Sequence, residues 1–97
     1  MLVLVVSWMA KHGKEAETRE ILRKLAAEAR KEPGCLGFLV HQHSDDPRRF
    51  LLYEQYHGRE GYEAHMATEP FKENILGKVV PMLESRVRDF MSTVEPA

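Results

Sequence analysis

The chain has 97 residues, 43% hydrophobic and 30% charged, with a formal net charge of −1. That length supplies one hydrophobic core, so residues 1–97 are expected to form a single domain. A near-neutral balance with no block of like charges disfavours nucleic acid as the main partner, because phosphate binding needs a basic face. Cys35 is the only cysteine; no intrachain disulfide can form, which suits a reducing, cytoplasmic location. The opening MLVLVVSWMAK lacks the basic start and cleavage site of a leader. Its apolar run is too short to cross a bilayer, so it reads as a strand and no membrane partner is expected.

Leu2 to Met9 is that first strand. It is rich in β-branched residues and apolar on both alternating faces, with Val3 and Val5 on one and Leu2, Leu4, Val6 and Trp8 on the other. Lys11-His12-Gly13 makes a turn. Lys14 to Lys31 then reads as a helix, with Thr18, Ile21, Leu22, Leu25 and Ala29 in one stripe, acidic residues early and Arg30 and Lys31 late. Pro33-Gly34 stops it. Cys35 to His43 and Arg49 to Tyr56 form a hairpin around the Ser44-Asp45-Asp46-Pro47 turn. Glu60 to Thr68 is expected to be a helix with Tyr62, His65 and Met66 on one face. A further short helix over Glu69 to Leu76 would begin near Pro70 and end at Gly77. Leu83 to Val94 is the last strand.

The order β-α-β-β-α-(α)-β is the split βαβ pattern of a ferredoxin-like α+β sandwich. Its helices cover one face of the sheet only. The first strand is apolar on both faces, and Phe50-Leu51-Leu52-Tyr53 repeats that signature. A second copy of the sheet is the simplest cover for the other face, so a homodimer through sheet faces is expected.

Three segments carry a resemblance: EPGCLGF (Glu32–Phe38), DDPRRFLLYEQY (Asp45–Tyr56) and EAHMATEPFK (Glu63–Lys72). In this order they resemble the antibiotic biosynthesis monooxygenase family of small dimeric α+β barrel proteins, and the likeness runs essentially end to end. The family includes cofactor-independent oxygenases of quinols and aromatic polyketides, heme-degrading enzymes and an isomerase of the phosphorylated autoinducer-2 signal. For heme degradation the resemblance implies an asparagine, a tryptophan and an axial histidine where this chain has Ser7, His65 and Ile75. The iron ligand is lost, so heme is not expected. The isomerase shares Tyr53, Glu54 and Tyr56, the preceding Arg49-Phe50, and His65, but carries a histidine near this chain's Ala26. A fold shared this widely fixes function only through its site.

Alternation puts Phe50, Leu52, Glu54 and Tyr56 on one face of the third strand and Leu51, Tyr53 and Gln55 on the other. The resemblance implies that the first set faces the helices and a pocket, which Glu54 and His65 would approach together. A carboxylate in an apolar cleft has its pKa raised by desolvation, and a histidine beside it has its pKa raised by charge; such a pair moves protons near neutral pH. The candidate catalytic residues are therefore His65 and Glu54, with Tyr56 orienting a ring. Ser7, Leu52 and Phe71 are candidates for binding a small-molecule substrate. If Ser7 points into the pocket, as the family suggests, Trp8 and Tyr53 belong to the dimer seam. His41 and His43 share a strand face, but nothing completes a metal site, and no metal is expected. Cys35 reads as a small core residue, and the glycines form no phosphate-binding motif. The leading expectation is an oxygenase of a small phenol or quinol that needs no cofactor, because the substrate itself reduces O2. The alternatives are an isomerase of a small phosphorylated keto-sugar, which needs Arg49, Lys72 or Lys78 turned inward, and a dimeric small-molecule-binding protein without catalysis.

Overall fold

A computed structural model describes residues 1–96. The elements are strand β1 (Leu2–Ala10), helix α1 (Glu15–Ala29), strands β2 (Cys35–Gln42) and β3 (Arg49–Tyr56), helix α2 (Arg59–Met66), a π-helical segment (Phe71–Val79), a 3₁₀ turn (Val80–Met82) and strand β4 (Leu83–Ser92). The sheet order is β2-β3-β1-β4 and every neighbouring pair is antiparallel. β1 and β2, joined through α1, are thus separated by β3, the split βαβ arrangement of a ferredoxin-like α+β sandwich.

Each element follows from local chemistry. Gly13 closes the turn after β1 with φ of 82°, a left-handed conformation that costs glycine little. α1 buries Thr18, Leu22, Leu25, Ala26 and Ala29 against the sheet, the expected stripe with Ala26 added and Ile21 only half-buried. It ends at Ala29, and Arg30 then reaches across to donate from Nη1 to the carbonyl of Phe38 at 2.8 Å. The β2–β3 turn is fixed by His43, whose Nδ1 accepts from the amides of Asp45 and Asp46, both at 3.1 Å. Asp46 accepts from the Arg48 amide and from Arg49 Nε, and these partners hold it below the usual carboxylate pKa.

The region after α2 departs from expectation. The helix does not stop at Gly77 but runs as wide turns to Val79, where the 3₁₀ turn containing Pro81 ends it. Glycine costs a helix about 1 kcal/mol relative to alanine and does not forbid it. Burial of Ile75 and Val79 on either side of Gly77 supplies the offset. Thr68 stitches α2 to this segment, its hydroxyl donating to the His65 carbonyl at 2.8 Å and accepting the Phe71 amide at 3.3 Å.

The core lies between the sheet and the helical layer. Leu4, Val6 and Trp8 of β1, Phe38 of β2 and Phe50, Leu52 and Tyr56 of β3 point into it. Among the described residues no helix covers the opposite sheet face. It shows Leu39, Leu51, Val87 and Met91 between 40% and 56% exposed, on β2, β3 and β4. Among the described residues no helix is long and apolar enough to cross a membrane.

Candidate active site

The strand register decides which β1 residues face the helices. Leu4 pairs with Glu54, Val6 with Leu52 and Trp8 with Phe50, and directly opposed residues share a face. Trp8 is therefore on the inner side, 8% exposed, and is not at a seam. Ser7 pairs with Leu51 and Val87 on the open face, is exposed, and does not reach the cavity. Its expected role as a pocket residue is corrected accordingly. An apolar-on-both-faces strand gives no alternation signal, so only pairing with β3 could fix its parity.

Between the sheet and the helices lies a cavity of about 290 Å³, with Leu52, Glu54, His65 and Phe71 among its lining residues. Leu4, Val6, Trp8, Leu25, Phe38 and Ile75 supply apolar wall. The cavity volume is at the small end for ligand pockets. Tyr56 does not line it: the ring is fully buried behind the wall, and its hydroxyl donates to Glu54 Oε1 at 2.6 Å. Tyr56 thus holds Glu54 in place and is not free to stack on a ligand.

Glu54 is a carboxylate in an apolar wall. Desolvation pushes its pKa up to about 7, against the pull of the Tyr56 hydrogen bond; the Glu32 charge raises it further and Arg88 lowers it. Burial and the neighbouring Glu54 push the Tyr56 hydroxyl well above its ordinary value, so it remains a donor. At neutral pH, Glu54 is divided between acid and carboxylate, the condition for proton transfer in either direction.

The expected pairing of Glu54 with His65 is replaced by two separate dyads. His65 faces Glu32, with Nδ1 at 3.0 and 3.1 Å from its two carboxylate oxygens. A carboxylate only accepts, so Nδ1–H donates and Nε2 is the nitrogen left for the cavity. Rings box the imidazole in, with centroids at 5.2 Å for Phe71, 5.5 Å for Phe38 and 5.8 Å for Tyr56. His65 is 2% exposed.

Glu32 was not legible as a site residue. It sits beside Pro33-Gly34 at the end of α1, and only the tertiary approach of that loop to α2 brings it under His65. Two glycines make the approach possible. A Cβ on Gly34 would lie 2.7 Å from Gly61 Cα, and one on Gly61 would lie 2.7 Å from the Gly34 carbonyl oxygen. The Gly34 carbonyl also accepts the His57 amide at 3.0 Å.

The cavity's basic residues were missed as well. Arg86 and Arg88 of β4 line it, whereas Arg49 is paired with Asp46 outside and Lys72 and Lys78 are exposed. Cys35 is half-buried with its thiol pKa raised by desolvation, and its weak bond to the Gly37 carbonyl is 3.5 Å, which leaves it a packing residue.

The sequence pattern of the family described as antibiotic biosynthesis monooxygenase matches residues 1–75. The chain belongs to the antibiotic biosynthesis monooxygenase family. Solved structures agree. A Nitrosomonas europaea protein named for the same family is 29% identical, with a TM-score of 0.90 over 97% of this chain and 99% of that one. PA3566 from Pseudomonas aeruginosa is 28% identical, with a TM-score of 0.90 over 96% and 93%. A Deinococcus radiodurans protein, also named for the family, is 22% identical with a TM-score of 0.87, a likeness of fold. No protein of curated function matches the chain.

Proposed function

We propose that this member of the antibiotic biosynthesis monooxygenase family oxygenates a small phenol or quinol without a cofactor. The observation that carries the reading is the enclosure, in one mostly apolar cavity, of a histidine oriented by a carboxylate and a second carboxylate poised near neutrality. His65 Nε2 accepts the phenolic proton, and Glu32 stabilises the resulting imidazolium. The electron-rich phenolate transfers an electron to O2, and recombination of the pair at a ring carbon gives a hydroperoxide. Glu54, in its acid form, donates a proton to the distal peroxide oxygen as the O–O bond breaks. One oxygen stays as the quinone carbonyl, the other leaves as water, and the ring carbon loses its hydrogen as a proton. The apolar walls favour O2 and exclude water from the reactive intermediate. Leu52 and Phe71 pack against the ring.

A cavity with room for a ring argues against a pocket filled by its own side chains, as a purely structural protein would have. The keto-sugar isomerase was expected to grip phosphate with Arg49, Lys72 or Lys78, which all lie outside the cavity; the cations that line it are Arg86 and Arg88 instead. The exposed apolar residues of the open sheet face support a homodimer packed sheet to sheet, and light scattering showing a monomer at micromolar concentration would rule it out. For the chemistry the test is oxygen uptake with a panel of quinols. Uptake by the wild type that falls at least about 100-fold in His65→Ala supports the assignment. No uptake with any quinol, together with turnover of a phosphorylated keto-sugar, would replace it.

A further inference from the structure

β4 presents Arg86, Arg88 and Phe90 at alternate positions, opposite Trp8, Val6 and Leu4 of β1. That parity puts them on the cavity side of the sheet, and both arginines line the cavity. Arg88 is held there by donating from Nη1 to the Tyr62 hydroxyl at 2.7 Å, with its guanidinium 5.9 Å from the centre of the Phe90 ring. Among the described residues neither Arg86 nor Arg88 is ion-paired with a carboxylate. Trp8, directly across from Arg86, adds an independent sign. Its ring is more than nine-tenths buried, it lines the cavity, and its Nε1–H has no hydrogen-bond partner. A buried donor left unmet is costly, and a native site that keeps one is completed by something else.

Two guanidiniums therefore line this end of the cavity, and the unmet indole N–H belongs to the residue directly across from one of them. Glu54, on β3, lies on the far side of β1, about two strand spacings or roughly 10 Å across the sheet. A ligand reaching from the proton-transfer groups to these donors spans about one aromatic ring with an acceptor opposite its hydroxyl. We propose that this end of the cavity is a subsite for an anionic oxygen group on the aromatic ligand, held by Trp8 Nε1–H, Arg86 and Arg88. The inference rests on the cavity being a site for a small phenol, and it names the class: a hydroxyaromatic acid in place of a neutral phenol. Guanidinium binds carboxylate and phosphate alike, so the test carries both.

Calorimetric titration of the full chain with 4-hydroxybenzoate, phenyl phosphate and phenol measures the preference without any redox chemistry. At least one anion is expected to bind about tenfold or more tighter than phenol, the better of the two identifying the group. Arg86→Gln and Arg88→Gln each reduce that ratio, and the double variant brings it near one; both side chains are exposed on an edge strand, so the variants fold. The chain has one tryptophan and hence one indole N–H resonance, which the preferred anion shifts and phenol does not. A ratio near one in the wild type, a ratio that survives the double substitution, or an indole resonance that ignores the anion overturns the proposal. Oxygen uptake separates the two readings. Anion preference without uptake from either hydroquinone or 2,5-dihydroxybenzoate keeps the subsite and removes the oxygenase. Equal kcat/KM for those two quinols keeps the oxygenase and removes the subsite.

Discussion

Glu54→Gln tests the electrostatics of the cavity in isolation from any substrate. The carboxyl's pKa rises from 4.5 to about 7 on folding, so between those values the folded chain holds a proton that the unfolded chain has released. Stability therefore falls as pH rises through that window. It is highest below pH 4.5, as far as this group is concerned, and the loss is complete above pH 7. A rise of that size corresponds to about 3 kcal/mol, at 1.36 kcal/mol per unit of pKa. Glutamine keeps an oxygen to accept the Tyr56 hydroxyl and never ionises. The variant should match the wild type within about 1 kcal/mol near pH 4.5 and exceed its stability by about 2–3 kcal/mol at pH 8. Urea unfolding at fixed protein concentration, run from pH 4.5 to 8.5 on both proteins, measures the difference. A difference that does not change with pH would refute the reasoning, because it would mean that Glu54 ionises in the folded state as readily as in the unfolded one.

Glu32→Gln should lower kcat for a quinol by about 10–100-fold with little change in KM, because it removes the charge that supports the His65 imidazolium; a change confined to KM would place Glu32 in binding. Tyr56→Phe removes the hydrogen bond that holds down the Glu54 pKa, so the pH at which Glu54 titrates should move upward, by infrared observation of the carboxyl, with a stability loss of about 1 kcal/mol. Gly61→Ala forces a methyl group onto the Gly34 carbonyl and should cost about 1–3 kcal/mol in unfolding free energy, with quinol turnover falling as Glu32 shifts from His65. A variant as stable as wild type would show that the loop yields freely.

The parts of this molecule that were legible in its sequence are those governed by short-range periodicity. Alternation on β3 sorts Phe50, Leu52, Glu54 and Tyr56 onto one face, the resemblance implies that this face is the inner one, and all four are buried. His65 likewise follows from helical spacing with Tyr62, both buried on the inner side of α2. β1 offers no such contrast, and its parity was assigned wrongly from the resemblance: Trp8 and Ser7 exchange places when pairing with β3 is observed. Glu32 belongs to a dyad made by two chain segments about thirty residues apart, a contact no local pattern encodes. Arg86 and Arg88 sit among polar neighbours in a terminal strand and carry no local signal of a site. α2 meets β4 through Arg59 and Tyr62, but the strand stays exposed beyond Leu83, and that exposure conceals the arginines' position beside the cavity.

The three rings around His65 have a further consequence. With one nitrogen tied to Glu32, the imidazole can neither swing nor flip, so under the proposed oxygenase chemistry the base cannot follow its substrate. On a diphenol with two inequivalent hydroxyls, the one deprotonated is the one that the cavity walls deliver to a fixed point, and the oxygenated carbon follows from that choice. Regiochemistry is then a property of wall shape. Enlarging or shrinking Ile75, which lines the cavity but is not one of those rings, should redirect the product from one isomer to another while the proton-transfer groups remain the same.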